Sequence, residues 1–245
     1  MKLVYILVLV LGLSSCSKEL PEVQSDYHKS QTPSPQIPSS LDSGIIAKFL
    51  FRSNLVDSTI YRNDGFWVNS RFGPDRFGRP NDAFYSNNGY MEANNIPFNI
   101  SQNYSISFWF KIMNFREGNA LMELNKNRRY DGNPVLWQHN NFLYLSRCNN
   151  SNERMSIGYI PSMKGKWVNV TWTVVNGLTN LYVNGNFIGS SRFFYHSYFG
   201  ITLTVGNAGN VGSPLHQQPT DAYVDDIKIW GRILTNAEIT ALSLN

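Results

Sequence analysis

Cleaving a glycosidic bond takes two carboxyl groups about 5 to 9.5 Å apart, the separation depending on mechanism. Few residues here compete for that role. Glu117 and Glu123 are too far apart to act together, and a regular strand would send the neighbours Asp225 and Asp226 to opposite faces. Of the 4 histidines, His28 sits in a Pro-rich stretch. Neither it nor His139, His196 and His216 lies beside a Ser or Cys with the local signature of an activated nucleophile. A lyase using Tyr and His, or a hydrolase with an unusual acid pair, stays as an alternative, but the expectation is a protein with no catalytic residues.

Binding chemistry is better represented. Sugar recognition needs an aromatic surface for the apolar face of the ring and polar side chains for its hydroxyls. Residues 125 to 147 supply Tyr130, Trp137, His139, Tyr144 and Arg147 among Asn125, Asn127, Asn133, Asn140 and Asn141. A second group, Phe193, Phe194, Tyr195, His196, Tyr198 and Phe199, alternates too little to be a simple strand. The expected ligand residues are Tyr130, Trp137, His139, Arg147, Tyr195 and Tyr198. Some of the remaining rings must be core. Asp225 shares strand parity with Ile227 and Ile229, which aims it inward, where a lone carboxylate is costly and needs a partner. That partner is either a hydrogen-bond donor at a sheet edge or a structural calcium ion, with Asp57 adding oxygen ligands. The sequence holds no dense acidic calcium loop.

Elements must position these groups, and composition points to strands. The 245 residues allow one globular domain with appendages. Aromatics make up 14% and mix with many Asn, Ser, Thr and Gly, as in sandwiches of short strands and turns. The formal charge of +4 would favour a nucleic-acid partner only if clustered on one face, and the densest group, Lys126, Arg128 and Arg129, is too small; no nucleic-acid partner is expected.

From Gly44 onward, apolar and polar residues alternate with period two. Ile106, Phe108, Phe110 and Ile112 form one face of a strand against Ser105, Ser107, Trp109 and Lys111. Val170, Trp172 and Val174 repeat the pattern, as do Ile201, Leu203 and Val205. Asn184-Gly185 predicts a type I′ hairpin that sets Tyr182 opposite Phe187 and Leu181 opposite Ile188. Thr235-Asn236-Ala237-Glu238 is a capping box, predicting a short final helix that packs through Ile239 and Leu242.

The amino terminus carries its own information. Lys2 precedes an unbroken apolar run from Leu3 to Leu13, shorter than the about 20 residues that span a bilayer, as in a cleaved export signal. Leu13-Ser14-Ser15-Cys16 resembles the lipobox of bacterial lipoproteins, which makes Cys16 the lipidated residue. Ser17-Lys18-Glu19 is similar to the export signal of Bacteroidetes surface lipoproteins. The expected location is the outer membrane, lipid-anchored and facing periplasm or cell surface. With Cys16 so used, Cys148 is the one thiol left, no internal disulfide forms, and Cys148 is read as a packing residue. Residues 17 to 43, with Pro21, Pro33, Pro35 and Pro38 among Ser, Gln and Thr, read as a tether that reaches up to roughly 80 Å if extended at ~3.1 Å per residue.

Taken together, the motifs resemble a family. Residues Gly44 to Phe51, Asp75-Arg76-Phe77-Gly78-Arg79-Pro80, Asn88-Gly89-Tyr90-Met91-Glu92 and Ile106 to Lys111 come first. Lys166-Trp167-Val168-Asn169-Val170-Thr171-Trp172, Leu181-Tyr182-Val183-Asn184-Gly185 and Val224 to Trp230 follow. This order is similar to that of laminin-G-like domains of the concanavalin A-like lectin/glucanase superfamily, over residues 44 to 245. The resemblance implies an all-β, two-sheet antiparallel jelly roll with a short C-terminal helix. It also implies packing roles for Trp109, Trp167 and Trp172, frequent structural calcium, and glycan binding in many members. Glucanase members space their acids as Glu-x-Asp-x-x-Glu, a pattern missing here. The fold hosts lectins, adhesion modules and enzymes, so function rests on the site. The expectation is a membrane-anchored module that binds glycan or polysaccharide without cleaving it, with adhesion to a protein partner as the alternative.

Overall fold

The computed structural model describes residues 39–114, 118, 120–125, 134–147, 150–193, 199–206 and 220–245, and the side chains of 39, 40, 147 and 150–153 lie outside that description. All of these residues belong to one compact unit, Pro35–Asn245. The expectations for Cys16, Tyr130, Cys148, Tyr195 and Tyr198, and for the Arg147 side chain, fall outside the described residues.

Two antiparallel sheets pack as a jelly-roll sandwich. The first runs β13 (Asn186–Arg192), β12 (Leu178–Val183), β11 (Trp167–Val175), β6 (Tyr104–Asn114), β15 (Asp221–Trp230), β4 (Ala83–Tyr85) and β3 (Arg71–Gly73). β1 (Ile45–Phe49) joins the second half of β15, beyond the reach of β4. The second sheet runs β10 (Asn150–Tyr159), β9 (Phe142–Arg147), β8 (Pro134–His139), β7 (Ala120–Asn125), β14 (Phe199–Val205), β5 (Tyr90–Asn99) and β2 (Phe66–Val68). A single turn of helix, α1 (Ile160–Met163), follows β10.

Period-two alternation selects the inner faces. Ile106, Phe108, Phe110, Ile112, Val170, Trp172, Val174, Ile201, Leu203 and Val205 are all buried in one core. There Trp172 meets Phe108 edge-on, with ring centroids 6.1 Å apart. Each such side chain contributes about 1.5–3 kcal/mol by leaving water, so the pattern fixes which face turns inward.

One strand breaks the parity. On β15, Ala222 and Val224 point into the core and so do Ile227 and Ile229. The phase therefore changes between them. Asp225 pairs with Trp109 and Lys228 with Ser107, so three residues of β15 span two of β6, and Asp226 takes a positive φ of 51° at this bulge. Asp225 consequently points outward beside Tyr223, not inward with Ile227 as the alternation alone predicts. Asp226 is turned toward the same group as Asp225 rather than to the opposite face: Arg76, from the loop between β3 and β4, donates to both carboxylates, Nη2 reaching Asp226 at 2.6 Å.

The hairpin closing β12 on β13 has positive φ at both Asn184 and Gly185, as a type I′ turn requires. Tyr182 faces Phe187 with ring centroids 5.5 Å apart. Leu181 pairs with Gly189 and not with Ile188, because a bulge one step from the turn shifts the register.

The final helix, α2 (Asn236–Leu244), begins with both halves of the capping box: the Thr235 hydroxyl accepts from Glu238 N–H, and the Glu238 carboxylate accepts from Thr235 N–H at 2.8 Å. Arg232 adds an ion pair to Glu238 at 2.6 Å. Ile239 and Leu242 pack with Trp230, Leu234, Leu41, Ile45 and Tyr182 on the outward face of the first sheet. This cover explains why Ser105, Thr171 and Thr173 are buried although they alternate with core residues. Their hydroxyls are paired: Ser105 donates to Arg232 O and accepts from Leu234 N–H, and Thr171 donates to Ser107 at 2.8 Å. A 3-10 turn, Ser39–Asp42, belongs to this layer too, since Trp230 Nε1 donates to Leu41 O at 2.7 Å and Arg232 Nε to Ser43 O. Leu41 to Ser43, within the segment expected to be tether, thus pack on this layer.

Candidate functional site

β8 and β9 are joined by the two-residue turn Asn140-Asn141, both with positive φ. That turn sets His139 opposite Phe142, Trp137 opposite Tyr144 and Val135 opposite Ser146. β10 extends the pattern with Tyr159 beside Phe142, Ser156 beside Tyr144 and Arg154 beside Ser146. Leu136, Leu143 and Leu145 between them lie in the core, so these nine positions form a three-by-three grid on the outward face of the second sheet.

Rings fill most of the grid. Trp137 stacks on His139 with centroids 5.4 Å apart and planes 24° apart, and Tyr144 lies 6.5 Å from Trp137. Phe142 is 6.2 Å from Tyr144 and 5.3 Å from Tyr159. The Arg154 guanidinium stands 4.7 Å over Tyr144. Phe142 and Tyr159 remain 36% and 47% exposed, which marks an aromatic surface open to solvent.

Along one edge of this platform a row of outward side chains crosses the whole sheet. Register places Arg154, Ser146, Val135, Glu123, Thr204, Glu92 and Phe66 in line, one from each strand. Beside it Thr202 donates to Asn94 at 2.8 Å, and Asn125 donates to Thr204. Glu92 and Glu123 therefore share a face, two strand spacings or about 9.6 Å apart along the row. Sequence reasoning did not pair them, because their proximity arises from sheet order. They are 6% and 3% exposed, so neither carboxylate is presented to bulk water.

The outward face of the first sheet holds a second aromatic row. Arg71, Tyr85, Tyr223, Lys111 and Trp167 follow one another on five adjacent strands. Arg71 lies 4.9 Å over Tyr85, Tyr85 stacks on Tyr223 at 4.3 Å, and Lys111 sits 4.7 Å from Tyr223 and 5.2 Å from Trp167. Burial and a hydrogen bond to Asp221 push the Tyr85 phenol up to about 12. Trp109 is covered by Arg76 at 5.2 Å. Of the three tryptophans expected to pack, Trp172 lies in the core, whereas Trp109 and Trp167 pack on this outward surface.

The carboxylates considered for calcium do not fit it. Asp57 is fully buried and accepts from Lys48 N–H, Thr59 N–H and hydroxyl, and Asn63 N–H and side-chain amide, at 2.9 to 3.2 Å. Five donors use the roughly four lone-pair sites of a carboxylate. Asp225 is turned outward and held by Arg76. Burial and the Asp226 charge push it up to about 7 against the pull of that guanidinium. Among the described residues no group of three or more His, Cys, Asp or Glu is arranged to hold a metal ion. The two residues serve as hydrogen-bond anchors, Asp57 for a loop and Asp225 for the Arg76 clamp.

Of the expected ligand residues, Trp137 and His139 are brought together on the platform, and Tyr144 from the same stretch joins them. Phe142, Tyr159 and Arg154 were not anticipated; the Asn140-Asn141 turn was the signal that would have aligned Phe142 with His139. From the second aromatic group, Phe193 is buried in the core and Phe199 is exposed on β14.

The two antiparallel sheets form a jelly-roll sandwich. The family model Laminin_G_3, described as the concanavalin A-like lectin/glucanases superfamily, matches residues 85–240, and the chain belongs to this family. No curated protein matches the sequence. Among solved structures, the binding domain of botulinum neurotoxin serotype D/C is similar with a TM-score of 0.61 and 19% identity over 82% of this chain and 52% of that one. The binding domain of botulinum neurotoxin DC in complex with SialylT gives 0.60 and 20%, over 82% and 51%. Domain 4 of AbnA, an extracellular arabinanase from Geobacillus stearothermophilus, in complex with arabinotriose, gives 0.56 and 18%, over 81% of this chain and 98% of that one. The chain spans about half the length of the toxin binding domains. At these identities the likeness is one of fold.

Proposed function

We propose that the domain is a carbohydrate-binding module, and that sugar rings lie on the platform formed by Trp137, His139, Phe142, Tyr144 and Tyr159. The observation that carries this reading is the cluster of contacting rings on one sheet face with Phe142 and Tyr159 still open to solvent. Ring faces of this kind bind the apolar side of a pyranose, and the exposed Ser156 and Arg154 offer hydrogen bonds at its rim. Structures of the same fold in complex with SialylT and with arabinotriose support the reading. A glycan array combined with product analysis tests it: binding without turnover is the expected result, and failure to bind any glycan together with capture of a protein partner would overturn it.

A hydrolase is the second reading, favoured by Glu92 and Glu123 on one face. Their burial argues against it, since a catalytic pair must reach the scissile bond. New reducing ends that disappear in Glu92→Gln and Glu123→Gln would establish it.

The anchored location is also a proposal. Cys16 carries the lipid, and the segment behind it ties the module to the outer membrane, where one acyl chain alone would bind marginally and several hold stably. Fractionation of Cys16→Ser checks this, the expected result being release from the membrane fraction.

A further inference from the structure

Arg154 differs from the arginines that are tied to acids. Arg62 pairs with Asp64, Arg76 with Asp225 and Asp226, Arg79 with Asp75 and Asp82, and Arg232 with Glu238. Among the described residues no acid pairs with Arg154. The residue is exposed and its guanidinium stands over the Tyr144 ring at 4.7 Å, a cation–π contact at the platform rim that does not use up its N–H donors. The nearest acid of the outward row, Glu123, is three strand spacings or about 14 Å away, beyond a Debye length of about 8 Å, and is buried. A guanidinium with no acid partner among the described residues, beside the proposed sugar platform, matches one ligand chemistry: a planar or tetrahedral anion that takes two parallel N–H bonds.

We infer that the platform is specific for acidic glycans, with Arg154 receiving a carboxylate or sulfate group on a sugar whose ring rests on the exposed Phe142 and Tyr159. This rests on the carbohydrate-binding reading and narrows it to a ligand class. Arg154 is then a specificity residue, and the ring platform supplies the charge-independent part of the affinity. Lysine would not replace it, because an ammonium neither stacks flat on Tyr144 nor presents a two-donor fork.

Titration calorimetry of the purified chain with two matched pairs tests the inference and separates the two anion sources: polygalacturonate against its methyl ester, and dextran sulfate against dextran. The expected result is that at least one acidic polymer binds tenfold or more tightly than its neutral counterpart at low salt, and that the advantage shrinks as salt rises. Arg154→Gln should remove the advantage of acidic over neutral polymers with the melting temperature unchanged, and Arg154→Lys should recover only part of it. Equal binding of acidic and neutral polymers, or an advantage that survives Arg154→Gln, would overturn the inference and leave the carbohydrate reading standing. Absence of binding to all four, alongside a glycan array without hits, would remove the carbohydrate reading itself.

Discussion

On the first sheet, Arg71, Tyr85, Tyr223, Lys111 and Trp167 cross five strands, and each ring is packed against a cation or another ring. The second sheet carries Trp137, His139, Tyr144, Phe142 and Tyr159 in a comparable cluster, with Arg154 over Tyr144 and with Phe142 and Tyr159 left open. Both surfaces have the residue types of a sugar site. Their difference lies in how far the π faces are already satisfied: the first row is closed upon itself and contributes to stability, and the second keeps contact area for a ligand.

The largest expected effect falls on the closed row. Tyr223→Ala removes a ring that packs against Tyr85, Trp167, Lys111 and Gly73 and should cost roughly 2–3 kcal/mol in chemical denaturation. Glycan affinity of the folded fraction should stay unchanged; a loss of binding there would break the comparison. Tyr144→Ala should do the reverse, weakening glycan binding about tenfold, or ~1.4 kcal/mol, with a smaller change in stability.

A pH series separates the faces by charge. Asp225 has a folded pKa of about 7 against an ordinary value of 3.8, so between these values the folded state holds a proton that the unfolded chain has released. Stability from this group is therefore greatest at the acid end and falls as pH rises through about 4 to 7. The melting temperature should drop by a few degrees across that window, and Asp225→Asn should flatten the step without touching platform binding. The smallest effect is that of Lys111→Met, about 0.5–1 kcal/mol for two partly exposed cation–π contacts, and it too should spare binding.

Much of the fold could be read from residue order because burial enforces it locally. Alternation at Ile106 to Ile112 and Val170 to Val174, the Asn184-Gly185 turn and the Thr235 to Glu238 cap each encode their own geometry. Trp137 and His139 were legible for the same reason: they sit two apart on one strand. Asp225 was misplaced because a bulge adds one residue to a strand without any compositional mark, and one residue inverts every side chain beyond it. Glu92 beside Glu123, and Arg154 over Tyr144, depend on which strands become neighbours. That is decided by the whole sheet and is invisible in a local window.

The short turn at Ser39–Asp42 decides where force enters the module. Through Leu41 and Ser43 it is fastened to Trp230 and Arg232, and thereby to β15 at the centre of the first sheet. The platform occupies the opposite side of the sandwich. Were the preceding chain anchored and the platform to grip a polymer, as proposed, tension would enter at an interior strand of one sheet and leave through the other, and the load would cross the packed interior.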